Sequence, residues 1–442
     1  LYIESILTQK MEKLFKNSWA LFAGYALIML AFGLQGNLLG VRSVIEEFTL
    51  LSTGILMSAY YIGYSIGANI VPNLVSKVGH IRVFAAFAST ASLSILIHAT
   101  FVNPIVWCFA RFLTGISIVG IFIVVESWLN DRANNRTRGK LLSIYMFITF
   151  FSMAFGSLLL NISNPKNFEP FILISLLLSI ALVPILLVKR KAPQFKKITP
   201  IKIKELYKIS PMGVFTSFCT GLIHSAIFSL TAVYAAKMNF NIFEISLLIF
   251  SIIISGALFQ WPLGYLSDKI NRRIVIIISS LAASIFGFLA IISVGPVPEI
   301  MHLSLDWKTN KIFFFIFVTI FAGFSLPIYA INIALTNDYI SKDKFVAAGG
   351  GLQLVMGLGA IGGPITCTIF MNFFGANGFF IYLIIFHIII SLFGFYRMTV
   401  RKVGENPENT FTPLPRNITP AGIELDPDTG VDLSNSKNNE RK

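Results

Sequence analysis

About twelve long apolar runs, separated by short polar stretches, account for most of the chain. They fall at roughly 18–40, 49–71, 83–100, 104–128, 141–162, 169–188, 211–235, 243–266, 274–295, 311–336, 344–373 and 377–399. About 20 apolar residues, wound as a helix, cross the ~30 Å hydrocarbon core of a bilayer. The pattern therefore predicts an all-α, polytopic membrane protein with about 12 transmembrane helices. The first run is too long for a cleavable signal peptide and lacks a small-residue cleavage site. Residue 1 is Leu, and Met11 is an alternative start.

Polar stretches give the organisation. The longest inner connection, 189–210, is strongly basic and divides the spans six and six, with a last part suited to a short surface helix. The expected units are an N-terminal segment 1–17, a six-helix half 18–188, the linker 189–210, a second six-helix half 211–399 and a tail 400–442. The tail is polar and Pro-rich, and that composition predicts disorder. The halves echo each other: "GISIVGIFIVVESWLND" from Gly115 and "GFSLPIYAINIALTND" from Gly323 both end in Asn-Asp. Two related six-helix halves mark a transporter built from parallel repeats, with its site at their interface near the midplane.

Composition agrees. With 55% hydrophobic and 13% charged residues and a mean hydropathy of +0.75, the chain carries about half the charge of a soluble domain. A net charge of +14 suggests a nucleic-acid partner only until its placement is read. Of 35 Lys and Arg, 29 fall on one side of the predicted topology and five on the other, with Arg111 inside a span. The positive-inside rule then puts both termini in the cytoplasm of an inner-membrane protein. Cys108, Cys219 and Cys367 lie within spans, where packing is the expected role.

The short loop "GYLSDKINRR" at 264–273 and its weaker echo "PNLVSKVGHIR" at 72–82 follow the second and eighth spans. The first resembles the signature after the second helix of each half in the major facilitator superfamily. "VGHIRVF", "RFLTG", "VESWLND" and "NRTRGKLLSIYM" resemble its bacterial YcaD-like branch. The resemblance covers about 18–399 and implies a monomeric secondary transporter of small molecules. For Asp268 it implies contact with the positive N-terminus of the fifth span, near Lys140 and Leu141. Gly264 would permit the close approach. Arg272 and Arg273 would bind lipid headgroups or nearby carbonyls and acids, latching the cytoplasmic side. The first copy departs from the pattern, with Pro72 for Gly and Ser76 for Asp. Ser76 can still cap a helix. That half instead has Glu126 at the inner end of its fourth span, and Arg82 is its expected partner.

Ionisable and polar residues inside spans are the cavity candidates. Arg111 lies about 10 Å from the outer end of its helix and about 22 Å from Glu126, too far to pair with it. It holds an anionic group of a substrate, or it bonds carbonyls or snorkels to the interface. His224 is mid-span and carries a proton or a helix–helix hydrogen bond. Asn37, Gln35 and Gln353, with Tyr329 and Asn332 on one helix face, are solute ligands or helix glue. Helix eleven holds Gly349, Gly350, Gly351, Gly357, Gly359, Gly362, Gly363 and Pro364, suiting either a pliable moving helix or tight packing.

"GLGAIG" at 357–362 and "GYSIG" at 63–67 match soluble-enzyme motifs by letters only, since neither has the required strand. No Walker A or H-E-x-x-H sequence occurs, and no cofactor or metal is implied. The expectation is a non-enzymatic secondary transporter of a small polar or anionic solute, with Glu126 and His224 as the evident proton carriers. Membrane lipids are its surroundings and nucleic acid is not a partner. An exporter or flippase of hydrophobic compounds, and a non-transporting receptor of the same fold, are the alternatives. A channel is disfavoured because no filter sequence or charged ring appears.

Overall fold

A computed structural model describes residues 2–134, 137–186, 200–294, 307–400 and 410–429. The first half comprises α1 (Tyr2–Ile45), α2 (Leu50–Val78), α3 (His80–Thr100), α4 (Pro104–Arg132), α5 (Arg138–Leu158), α6 (Glu169–Ile180) and α7 (Leu182–Leu186). The short α8 (Ile203–Ile209) ends the linker, whose residues 189–199 lie outside the described part. The second half comprises α9 (Pro211–Lys237), α10 (Ile242–Lys269), α11 (Arg272–Val294), α12 (Trp307–Ser325), α13 (Ile328–Asn337), α14 (Phe345–Phe374) and α15 (Gly378–Val400). A single turn of helix, α16 (Pro420–Ile423), lies in the C-terminal segment.

Helix starts follow local chemistry. Asn103 caps α4 through its side chain and Pro104 occupies the first turn, where no N–H is needed. Ser210 and Pro211 repeat the device at α9, and Asn241 with Glu244 makes a reciprocal capping box at α10. Eleven segments of the described residues are long and apolar enough to cross a membrane. The helix outside that count is α2, 29 residues long and interspersed with Ser, Thr, Tyr and Asn. Two predicted spans are interrupted. The sixth breaks at Ala181, and the tenth breaks at Leu326–Pro327, because proline has no N–H to continue the ladder.

At the end of the bundle away from the basic loops, the two halves meet. Asn161 Nδ2 donates to Ser246 Oγ at 2.7 Å, Ser157 Oγ donates to the Ser246 carbonyl at 3.2 Å, and the rings of Phe155 and Phe250 meet edge-on at 5.4 Å. Deeper in, α2 packs on α14 and α1 on α9. Within the second half, α14 and α9 touch backbone to backbone. A Cβ built on Gly359 would fall 2.1 Å from the Phe218 carbonyl oxygen, and one on Gly221 falls 2.1 Å from that of Met356. At these two positions only glycine allows the approach.

The basic end is arranged differently from what the tail's composition predicts. Residues 401–409 and 430–442 of the expected tail lie outside the described part, Val400 still belongs to α15, and Thr410–Thr429 is placed against the helices. It lies between the halves, with Leu414, Ile418, Ile423 and Leu425 each no more than 3% exposed. The segment reads as polar overall, yet its apolar residues recur at 411, 414, 418, 423 and 425 and find partners on both halves. Burial of those side chains, together with the hydrogen bonds below, offsets the cost of ordering it.

Candidate functional site

A cavity of two adjoining lobes lies between the halves, and residues of α1, α2, α4, α5, α9, α10 and α14 line it. Tyr60, Tyr61 and Tyr64 share one face of α2 and supply its aromatic wall; His224, Ser225, Phe228 and Ser229 come from α9 and Gln353 from α14. One lobe is also lined by Arg111 and Asn37. The other is lined by His224, Ser225 and Gln353. Arg416, from the C-terminal segment, borders both.

Arg111 is the outstanding group. It is 4% exposed, its guanidinium carbon stands 4.7 Å from the Tyr60 ring centroid, and its Nε is buried without a hydrogen-bond partner. No carboxylate lines this lobe. A cation over an aromatic face gains a modest attraction, but the buried Nε still lacks a hydrogen-bond partner among the described residues. At 4% exposure the side chain lies inside the helix bundle.

The other candidates divide. Gln353 lines the cavity with a buried, unpartnered Oε1. Asn37 lines it too, but its amide nitrogen donates to the Gly33 carbonyl on its own helix at 2.7 Å. His224 lines it through one side while its Nε2 lies 3.4 Å from the Ser325 carbonyl. His387, unremarked in the sequence, places Nε2 2.9 Å from the Ser325 hydroxyl. Both histidines therefore converge on the carbonyl and hydroxyl at the broken tenth span, a typical place for freed backbone groups to be met by side chains. Gln35, Tyr329 and Asn332 do not line either lobe. Asn332 Nδ2 instead donates to the Gly213 carbonyl at 2.8 Å and to Ser217 Oγ at 2.9 Å, joining α13 to α9.

At the basic end the expected contacts are replaced. Glu126 is fully buried, but Arg82 is exposed and does not meet it. His80, two residues earlier, turns inward to Ser127 at 2.7 Å and leaves Arg82 outside. Glu126 accepts from Tyr145 OH at 2.7 Å, from the Thr419 backbone N–H at 3.0 Å and from the Thr419 hydroxyl. Among the described residues Ser76 bonds only the Asn73 carbonyl of its own helix, at 2.8 Å. Asp268 does not reach the start of α5. It accepts from Arg272 at 2.9 Å and from the Phe411 N–H at 2.8 Å, while Pro427 of the same segment lies against Gly139 at the start of α5. The ring of Phe411 lies against Gly264, where an added Cβ would fall 2.1 Å away.

Arg272 carries the second half's network. Its side chain is 1% exposed and pairs with Asp268 and Asp338 while donating to the Ala334 carbonyl at 2.9 Å. Burial pushes the Asp338 carboxyl up to about 6, against the pull of Arg272. Arg273 donates to Tyr339 OH at 2.6 Å. Arg272 thus meets a carbonyl and two acids, and Arg273 a hydroxyl and the Arg397 carbonyl at 3.4 Å. Asp338, the last residue of the "LTND" echo, was legible only as part of that repeat. Among the described residues no cluster of His, Cys, Asp and Glu could hold a metal ion.

The sequence profile of the Major Facilitator Superfamily matches residues 21–303 and 213–425. The chain belongs to this superfamily. It is a multi-pass membrane protein of a transporter family, not an enzyme family. Curated relatives include the uncharacterized MFS-type transporter YcaD of Escherichia fergusonii, 23% identical over 82% of this chain and 90% of that protein. The YcaD of Escherichia coli strain K12/DH10B is 24% identical over 88% and 96%. Among solved structures, the nucleoside transporter NupG is similar with a TM-score of 0.67 at 14% identity, covering 87% of this chain and 100% of that one. The human organic anion transporter MFSD10 gives 0.54 at 14% identity, covering 86% and 99%. The Escherichia coli fucose:proton symporter FucP gives 0.51 at 13%, covering 86% and 97%. At these identities the likeness is one of fold.

Proposed function

We propose that this superfamily member is a secondary transporter that moves a small anionic solute across the cytoplasmic membrane by rocking its two halves. Arg111 carries the reading. A buried guanidinium with an unpartnered Nε, lining a cavity between the halves, suits a carboxylate or phosphate that arrives with the solute. The aromatic wall of Tyr60, Tyr61 and Phe228 would pack the rest of the molecule, and Gln353 would orient it. The distribution of Lys and Arg supports placing the basic end, and both termini, in the cytoplasm. On that assignment the described conformation is closed toward the outside, with the inner side filled by Thr410–Thr429.

Glu126 is the acid best placed for a coupling proton. It lies buried at the inner end of α4 and holds hydrogen-bond partners from both α5 and the C-terminal segment, so its protonation would be felt by parts that must move.

The test is thermal stability of the purified protein against succinate, benzoate and inorganic phosphate, with uridine, fucose and a hydrophobic amine as comparison. An anion at 100 times its Kd should stabilise the parent by about 2.7 kcal/mol. Arg111→Gln should abolish the effect and Arg111→Lys retain part of it. Stabilisation by the hydrophobic amine alone, equal in parent and Arg111→Gln, would instead favour a hydrophobe exporter.

A further inference from the structure

The inner vestibule is a peptide-binding groove, and its occupant is part of the chain itself. Thr410–Thr429 touches both halves at once. On the first half it meets Glu126 through Thr419, and Asn130 donates to the Ala421 carbonyl. Arg138 donates to Thr429 Oγ1 at 3.3 Å, and Tyr64 OH donates to the Asn417 carbonyl at 2.8 Å. On the second half, Asp268 accepts from the Phe411 N–H, Gln260 donates to the Leu414 carbonyl at 3.4 Å, and Ile423 and Pro420 lie on Gly349 and Gly350.

The groove is matched to this segment. Glycines at 264, 349 and 350 leave room for Phe411, Ile423 and Pro420 respectively, with added Cβ atoms at 2.1, 2.4 and 3.2 Å. Glu126 and Asp268 each accept from a backbone N–H of the segment. The innermost contact is Arg416, whose guanidinium carbon stands 3.4 Å from the Phe228 ring centroid and whose Nη1 donates to the His224 carbonyl at 3.3 Å. The segment thus fills the entrance and reaches the cavity itself. The nine residues 401–409 keep it within about 30 Å of the end of α15, so it is always at hand.

We propose that Thr410–Thr429 is a built-in plug that holds the transporter closed to the outside and must leave the groove before the inner ends can meet. This rests on the rocking of the halves, not on the identity of the solute. Two halves cannot approach at the basic end while twenty residues stand between them, and without that approach their opposite ends stay joined at Ser157, Asn161 and Ser246. Asp268, freed from Phe411, would then be available for the start of α5. An inserted segment therefore inhibits, and anything that withdraws it activates.

The full-length protein allows the test. A Cβ built on Gly139 lies 3.1 Å from Pro427 Cγ, so Gly139→Cys with Pro427→Cys brings two thiols within disulfide reach. Phe411→Ala with Thr419→Val weakens docking instead. Hydrogen exchange by mass spectrometry is followed in peptides covering 152–165 and 242–250, the outer contact. The inference expects an intramolecular disulfide, slow outer exchange in the oxidised double-cysteine protein, and at least tenfold faster exchange in the undocking variant. Equal exchange in these two proteins overturns it. So does failure to cross-link when both thiols react with maleimide, and so does a disulfide that joins two chains. Stabilisation by succinate, benzoate or phosphate through Arg111 is read separately on the same proteins, so the two readings fail independently.

Discussion

Replacing Gly359 by Ala probes the contact on which the shape of the cavity depends. The new methyl would fall 2.1 Å from the Phe218 carbonyl oxygen and 3.1 Å from both the Leu222 nitrogen and the Phe218 carbonyl carbon. An ordinary contact to oxygen is more than an ångström longer, and the clash is with helix backbone, which cannot rotate away. Helices α9 and α14 must separate. Overpacking of this kind costs about 1–3 kcal/mol. Gly36→Ala is the internal control, since its methyl would meet only the Phe228 oxygen at 3.8 Å. There the usual helix-interior gain of roughly 0.5–1 kcal/mol should appear. Thermal unfolding in one detergent, followed by intrinsic fluorescence, should therefore place Gly359→Ala below the parent and Gly36→Ala level with it or above. Because α9 and α14 carry His224, Ser225 and Gln353, Gly359→Ala should also weaken anion stabilisation. Equal thermal behaviour of the two variants would refute the close-packing argument.

Asn332→Leu removes two hydrogen bonds between α13 and α9 and should cost about 1–3 kcal/mol, with anion stabilisation unchanged; loss of that stabilisation would make Asn332 a cavity residue. Asp338 binds its proton more tightly folded than unfolded, with a folded value of about 6 against 3.8. Its contribution therefore weakens stability as pH rises from about 4 through 6. Relative to Asp338→Asn, the parent should gain stability on acidification across that window, and a constant difference would contradict the burial argument. Tyr64→Phe loses its bond to the Asn417 carbonyl and should weaken docking of the C-terminal segment by about 2- to 12-fold, read as faster exchange in peptides covering 410–429. Unchanged exchange there would remove Tyr64 from the groove.

The long apolar runs were enough to read an all-α polytopic membrane protein, because a bilayer imposes a length and a composition on every span; eleven of the described helical segments meet both, against about twelve runs read. Arg111 was equally legible, since a charge inside an apolar run has few explanations. Contacts between distant segments were not. Nothing in "VGHIR" tells that His80 turns inward and Arg82 outward, for both sit at one helix start and differ only in facing. The amides divide for a similar reason: Gln353 and Asn332 are equally polar, and only the packing of α13 on α9 decides which one meets an empty space. The C-terminal segment was misread because its composition resembles disordered chain, while its few apolar residues are spaced to meet a groove made by other helices. The glycines of helix eleven that looked like a single device serve two ends. Gly359 and Gly363 let α9 approach, whereas Gly349 and Gly350 make room for Ile423 and Pro420.

The measurement closest to the central claim is exchange of a radiolabelled anion, chosen from those that stabilise the protein, across proteoliposomes holding the same anion inside. The account predicts uptake above protein-free vesicles by the parent, and uptake at background by Arg111→Gln reconstituted to the same density. Tight anion binding with no uptake by the parent would contradict it and make the protein a receptor of transporter fold.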